Sequence, residues 1–285
     1  MRVFCHLIIA LLAVKAAAGS AQQGAYNRMY VFGDSYSDSG AGYVDGNGPT
    51  AVVYLAQRLQ LPFTFAGDPA ATKDSGLNFA VSGAQTGEGE GRRFKNNELL
   101  GKGMKNQVAD FTAMVHSGKV QFDADKTVFY LLGGLNDGRL AEGVTKENIE
   151  GEIEGLYALG ARHFRVALLP VKIPPFSEVG TRLNPQLAMI PDQERARHPD
   201  LDIRNSRWGA FYDEVLEHPA KYGLTNTVDQ CAGRSLFNQD TTPCASPNTY
   251  YYYHDGHPST ATHKAVGDML FVESTNEAPS SKKQK

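Results

Sequence analysis

Short unbroken apolar runs recur along the chain, separated by longer segments whose apolar positions return every three or four residues. The first pattern fits strands buried on both faces, and the second fits amphipathic helices. Such runs occupy 28–35 (RMYVFGDS), 77–81 (LNFAV), 126–134 (KTVFYLLGG) and 164–170 (FRVALLP), and 224–230 (LTNTVDQ) reads as a plausible last strand. Helical spacing covers 48–61, 104–118, 146–160, 203–218 and 259–274; in 146–160, Ile149, Ile153 and Leu156 share one face. Residues 171–199 have no clear period and are rich in Pro and charge. They read as a long loop over a site, with room for a short helix.

Strands that alternate with helices predict a parallel sheet between helical layers. Ligands of such sheets bind beyond the carboxyl ends of the strands. The residues at those ends, Ser35, Gly83, Asn136 and Pro170, are therefore the first to inspect.

The N-terminus follows a different pattern. Arg2 precedes the apolar run VFCHLIIALLAV, and KAAAGSA supplies small residues. This reads as a secretory signal over 1–21, cut between Ala18 and Ala21. The run is shorter than the ~20 residues of a membrane span, which argues against a stable anchor. The expected organisation is one domain over 22–275 and a polar tail over 276–285. Export, to a periplasm or the medium, brings oxidising conditions. Cys231 and Cys244 then pair as a disulfide rather than remaining free thiols.

Composition narrows the function. The 285 residues are 41% hydrophobic and 21% charged, with a net charge of −3 and no basic stripe, so nucleic-acid binding has no electrostatic support.

Ser35 lies in FGDSYSDSG, at the end of the first strand-like run. A serine there either caps a helix or presents its hydroxyl as a nucleophile. Ser37 stands where the nucleophile elbow G-x-S-x-G has its second glycine, so that signature is absent. Four blocks in order, GDSYSDSG with Ser35, NFAVSGAQTG with Gly83, GLND with Asn136 and HDGHPS with His257, resemble the GDSL or SGNH hydrolases. The resemblance implies a three-layer α/β/α sandwich of flavodoxin-like architecture, with a five-stranded parallel sheet. It also implies ester hydrolysis through Ser35. His257 would be the base, and the oxyanion hole would comprise the Ser35 and Gly83 N–H groups and the Asn136 amide. Within the family the first two blocks look like the secreted branch, which includes carbohydrate acetylesterases of carbohydrate esterase family 16 and extracellular lipases. The expected protein is a monomer without cofactor or metal, acting on a small-molecule or carbohydrate ester.

The block around His257 departs from the pattern. The family's catalytic acid stands three residues before the histidine, where this chain has His254. Either Asp255 reaches the ring through a turn at Gly256, or a backbone carbonyl orients His257. A zinc site made of His254, Asp255, His257 and His263 would leave Ser35, Gly83 and Asn136 unexplained. Asp34, Asp38 and Asp137 read as capping or amide-binding residues. Tyr250 to Tyr253 read mainly as a strand packing rings into the core, with a ring left over to meet substrate.

Overall fold

The computed structural model describes residues 26–94 and 97–276. The expected signal segment and all but the first residue of the expected tail lie outside them.

The chain begins with β1 (Arg28–Gly33), whose last five residues are buried, and α1 (Ala51–Arg58). Two short strands, β2 (Phe63–Phe65) and β3 (Gly76–Asn78), precede an antiparallel hairpin of β4 (Glu90–Arg93) and β5 (Leu99–Lys102). Then come α2 (Met104–His116), the fully buried β6 (Thr127–Leu132), α3 (Val144–Ala158) and β7 (His163–Ala167). Helices α4 (Ser177–Leu187) and α5 (Ile190–Arg197) fill the segment that carries no period. The chain closes with β8 (Asp202–Ser206), α6 (Trp208–Glu217), β9 (Asn226–Gln230), β10 (Tyr250–His254), β11 (His257–Pro258) and α7 (Thr260–Asn276).

The main sheet is parallel and has six strands, in the order β2-β3-β1-β6-β7-β8, where five were expected. Helices flank it. One set, α1, α6 and α7, packs together, and α2 packs on α3. Two differences explain the strand count. DIRNS is polar enough to read as the start of a helix, yet it pairs with β7 from His163–Asp202 to Ala167–Ser206. The helix begins only at Trp208. At the other edge FTF is too short to show a period. The strand expected over 224–230 exists, but it pairs with β10 in a separate three-stranded sheet.

Strand order reverses at β1, which has β3 on one side and β6 on the other. That is the switch point where open α/β sheets leave a crevice. Beneath it the core is aromatic. Tyr30, Phe32, Phe79, Phe111 and Phe129 touch with ring centroids 4.7–5.8 Å apart, mostly edge to face. A second group closes on Tyr36, with Trp208, Tyr212 and His263 at 4.9–6.2 Å. Tyr251 and Tyr252 are both buried, and none of the four consecutive tyrosines lines the cleft that holds Ser35.

Cys231 and Cys244 form a disulfide, and the Cys244 N–H also donates to the Cys231 carbonyl at 2.8 Å. The closed loop is short. Loop entropy assigns such a bridge about 3 kcal/mol. Peptide mapping without reductant should recover Cys231 linked to Cys244. Reduction should lower unfolding stability by about that amount; two alkylatable thiols in protein made under oxidising conditions would refute the bridge.

Candidate active site

The four expected site residues reach one place from four segments. Ser35 follows β1, Gly83 follows β3, Asn136 follows β6 and His257 opens β11. All four line a cleft of about 690 Å³. Pro170, also singled out at a strand end, does not line it; Pro175 and Phe176, farther along the same segment, do.

Ser35 Oγ is 2.8 Å from His257 Nε2. His257 Nδ1 is 2.9 Å from the main-chain carbonyl of Asp255. Arg234 Nη2 also lies 2.7 Å from Nδ1; with Nδ1 donating to the Asp255 carbonyl, the lone pair on Nε2 faces the serine hydroxyl. This is the tautomer a general base needs. Among the described residues, no ion pair or hydrogen bond joins the Asp255 carboxylate to His257, and Asp255 is exposed. The chain orients the ring with peptide rather than carboxylate at this position. Gly256, at φ +67°, makes the turn that sets the carbonyl there.

The turn is held from below. Tyr36, next to Ser35, is fully buried and donates its hydroxyl to the Gly256 carbonyl at 2.7 Å. Its ring lies 5.7 Å from that of His257. Phe176 closes another side of the imidazole, centroid to centroid 6.4 Å. Ser259 fixes the far end: its hydroxyl donates to the Tyr250 carbonyl at 2.6 Å and accepts the Thr262 N–H at 3.3 Å, which caps α7. Burial among these groups pushes the His257 pKa down; a nearby carboxylate, Asp45, opposes the shift, and Arg234 adds to it.

On the opposite side the groups are donors. Asn136 spends one amide hydrogen on the Ala84 carbonyl at 2.9 Å, which fixes the side chain and leaves its second N–H. Among the described residues, the N–H groups of Ser35 and Gly83 donate to no protein acceptor. Gly83 is exposed at φ +75°, a conformation that glycine adopts without strain. Donors aimed into one cleft beside a hydroxyl and a base are what acyl transfer requires.

The neighbouring acids are structural. Asp34 accepts from the Tyr36 N–H at 3.2 Å, and burial pushes its carboxyl up to about 7. Asp38 binds the N–H groups of Gly40, Gly42 and Ser82 at 2.9–3.1 Å. Asp137 accepts from the Thr86 N–H and from the hydroxyls of Thr86 and Thr145. The histidines of the zinc alternative are occupied as well. His254 Nδ1 bonds the Ala232 carbonyl at 3.0 Å, and His263 Nδ1 bonds Tyr212 Oη at 2.8 Å.

Comparisons with known proteins identify the family. The family described as GDSL-like lipase/acylhydrolase matches residues 29–270. The chain belongs to that family. A GDSL esterase/lipase of Arabidopsis thaliana is 22% identical, over 89% of this chain and 87% of the plant protein. Two solved structures are similar: a lipolytic protein of the G-D-S-L family from Veillonella parvula and a lipase/acylhydrolase from Enterococcus faecalis. Their TM-scores are 0.46 and 0.43 and their identities 12% and 15%, over 88% of this chain and 98% and 96% of theirs. As a GDSL hydrolase the chain is a carboxylic ester hydrolase.

Three features of the GDSL site escaped the sequence. The β4–β5 hairpin contributes Arg92, Leu100 and Gly101 to the cleft, and its two four-residue strands are too short and too charged to show a period. Asp45 and Arg234 both stand against His257. Asp45 sits in a turn-like GYVDGNGP and Arg234 between the two cysteines, and neither has a neighbour in sequence that points to the histidine.

Two outcomes follow. Because burial depresses the His257 pKa, the ring stays neutral to lower pH than an ordinary histidine. The acid limb of kcat/KM should therefore fall below about pH 6.5. Asp255→Asn keeps the main-chain carbonyl, so kcat/KM should drop less than about tenfold; a loss of about 10³ or more would restore the carboxylate to the mechanism.

Proposed function

We propose that the protein is an exported serine esterase that removes short acyl groups, acetyl above all, from carbohydrates through a Ser35 acyl-enzyme. The Ser35 hydroxyl placed 2.8 Å from His257 Nε2 carries this reading. In the proposed first half-reaction Oγ attacks the ester carbonyl while its proton passes to Nε2. The Ser35 and Gly83 N–H groups and the free Asn136 N–H receive the oxyanion. The proton then goes to the leaving alcohol as the C–O bond breaks. Water repeats the sequence to free the acid.

Support for a sugar on the alcohol side comes from the rim. Phe94 and Phe237 are 41% and 61% exposed at the mouth of the cleft, suited to lie against a sugar face. Near the nucleophile the lining is small, with Ser82, Gly83 and Gly101. The same exposed rings also suit a lipid, so the lipase reading of the family remains the competitor. Export is supported by the signal-like N-terminus and by the disulfide. No described helix is long and apolar enough to cross a membrane.

Rates on p-nitrophenyl esters from acetate to palmitate, and on acetylated oligosaccharides, test the substrate. Activity highest on acetate and falling with chain length fits the proposal, whereas a maximum at long acyl chains makes the protein a lipase. Ser35→Ala should abolish turnover without lowering thermal stability. Asn136→Ala should lower kcat by about 10²–10³ with little change in KM, because its bond strengthens as the oxyanion forms.

A further inference from the structure

Where GDSL hydrolases are expected to hold an acid, this chain has His254, which bonds the Ala232 carbonyl instead. We propose that Asp45, held in place by Arg234, is the carboxylate that serves His257, approaching the Nε2 side of the ring rather than Nδ1. The proposal rests on the serine-esterase reading above.

The Asp45 side chain is 4% exposed, and its Oδ2 lies 3.3 Å from His257 Nε2. Arg234 grips it with two bonds, Nε to Oδ1 at 2.9 Å and Nη2 to Oδ2. The same Nη2 stands 2.7 and 3.1 Å from Nδ1 and Nε2 of His257. With the Nδ1 proton given to the Asp255 carbonyl, the guanidinium at 2.7 Å acts on the ring as a positive charge. Opposite charges therefore act on one imidazole. When the Ser35 O–H bond breaks and the Nε2–H bond forms, the ring becomes positive. Asp45 stabilises that state, and Arg234 disfavours it while fixing the carboxylate. One carboxylate in a triad both orients the ring and offsets its charge. Here the Asp255 carbonyl does the first and Asp45 the second.

Both residues are placed firmly. Asn47, two residues beyond Asp45, accepts the Thr260 N–H at 2.8 Å and ties the segment to the start of α7. The Arg234 N–H donates to Gln239 Oε1 at 2.8 Å inside the disulfide loop, and its guanidinium lies 5.5 Å above the Phe237 ring. The other titratable groups that act on His257 are His254 and His263, each already bonded elsewhere. Tyr36 and Phe176 complete the surround with rings.

The test is the pH dependence of kcat/KM, with p-nitrophenyl acetate, for Asp45→Asn, Arg234→Gln and the double variant. Asp45→Asn leaves the guanidinium unopposed. It should lower kcat about tenfold or more and move the acid limb to lower pH. Arg234→Gln leaves the carboxylate unopposed and should move the limb to higher pH. The double variant should return towards the parent, because an unpaired buried charge costs more than the loss of both. A merely structural pair would lower activity without these opposed shifts. An unshifted limb in both variants, or shifts in the same direction, would overturn the proposal. Should Asp45→Asn fail to fold, Arg234→Gln and the double variant decide it: a limb that stays or moves down in Arg234→Gln is the overturning result. Ser35→Ala is the control. Its retaining activity would end the esterase reading itself, whereas an inactive Ser35→Ala beside unshifted Asp45→Asn and Arg234→Gln limbs ends only this inference.

Discussion

A histidine acts as a base through one nitrogen only when something claims the proton of the other. In this protein the Asp255 carbonyl, 2.9 Å from Nδ1, makes that claim, and the rest of the site follows from it. The bond needs the left-handed turn at Gly256 and the Tyr36 hydroxyl that holds the Gly256 carbonyl. It needs His257 buried against rings so that it cannot swing to solvent. Tyr36 adjoins Ser35 in sequence, so one buried residue sets the height of the turn that carries Ser35 and the position of His257. A neutral peptide group orients well but does little to offset charge. That leaves electrostatic work for the ion pair at Asp45 and Arg234.

The architecture explains how distant segments meet. Ser35 and His257 are separated by 222 positions yet share a hydrogen bond. The strands bring Ser35, Gly83 and Asn136 to neighbouring ends of β1, β3 and β6, where strand order reverses. His257 is delivered from the small outer sheet, where β11 pairs with β10 and His254 faces His257 across the register. The buried acids at the strand ends tighten this arrangement. Asp38 ties the segment after Ser35 to Ser82, next to Gly83. Asp137 ties the residue after Asn136 to Thr86. Each is a carboxylate bound to loop amides, so the donors of the site are fixed from beneath.

Much of this was legible in the sequence, for identifiable reasons. β1 and β6 are largely apolar runs, and β7 is one interrupted by Arg165, because helices cover both their faces. Their ends announced Ser35 and Asn136. The blocks around Gly83 and His257 are local in sequence, and so they too were visible. The parts that were not legible depend on tertiary pairing. β8 is polar and becomes a strand only against β7. β2 is three residues long. Helices α4 and α5 have charged, proline-containing sequences, and their helical state is decided by packing on α3 and β8. Asp45 and Arg234 come together from 189 positions apart, a contact that no local pattern encodes.

The central claim is that His257 rests with its proton on Nδ1, held by peptide, and takes up the serine's proton at Nε2. Nitrogen-15 NMR of histidine-labelled protein measures this directly, with the His257 signals assigned by their loss in His257→Gln. The account predicts a protonated Nδ1 and a bare Nε2 near neutral pH, and a proton on both nitrogens once a phosphonate occupies Ser35. A resting His257 with its proton on Nε2 and a bare Nδ1 would contradict it.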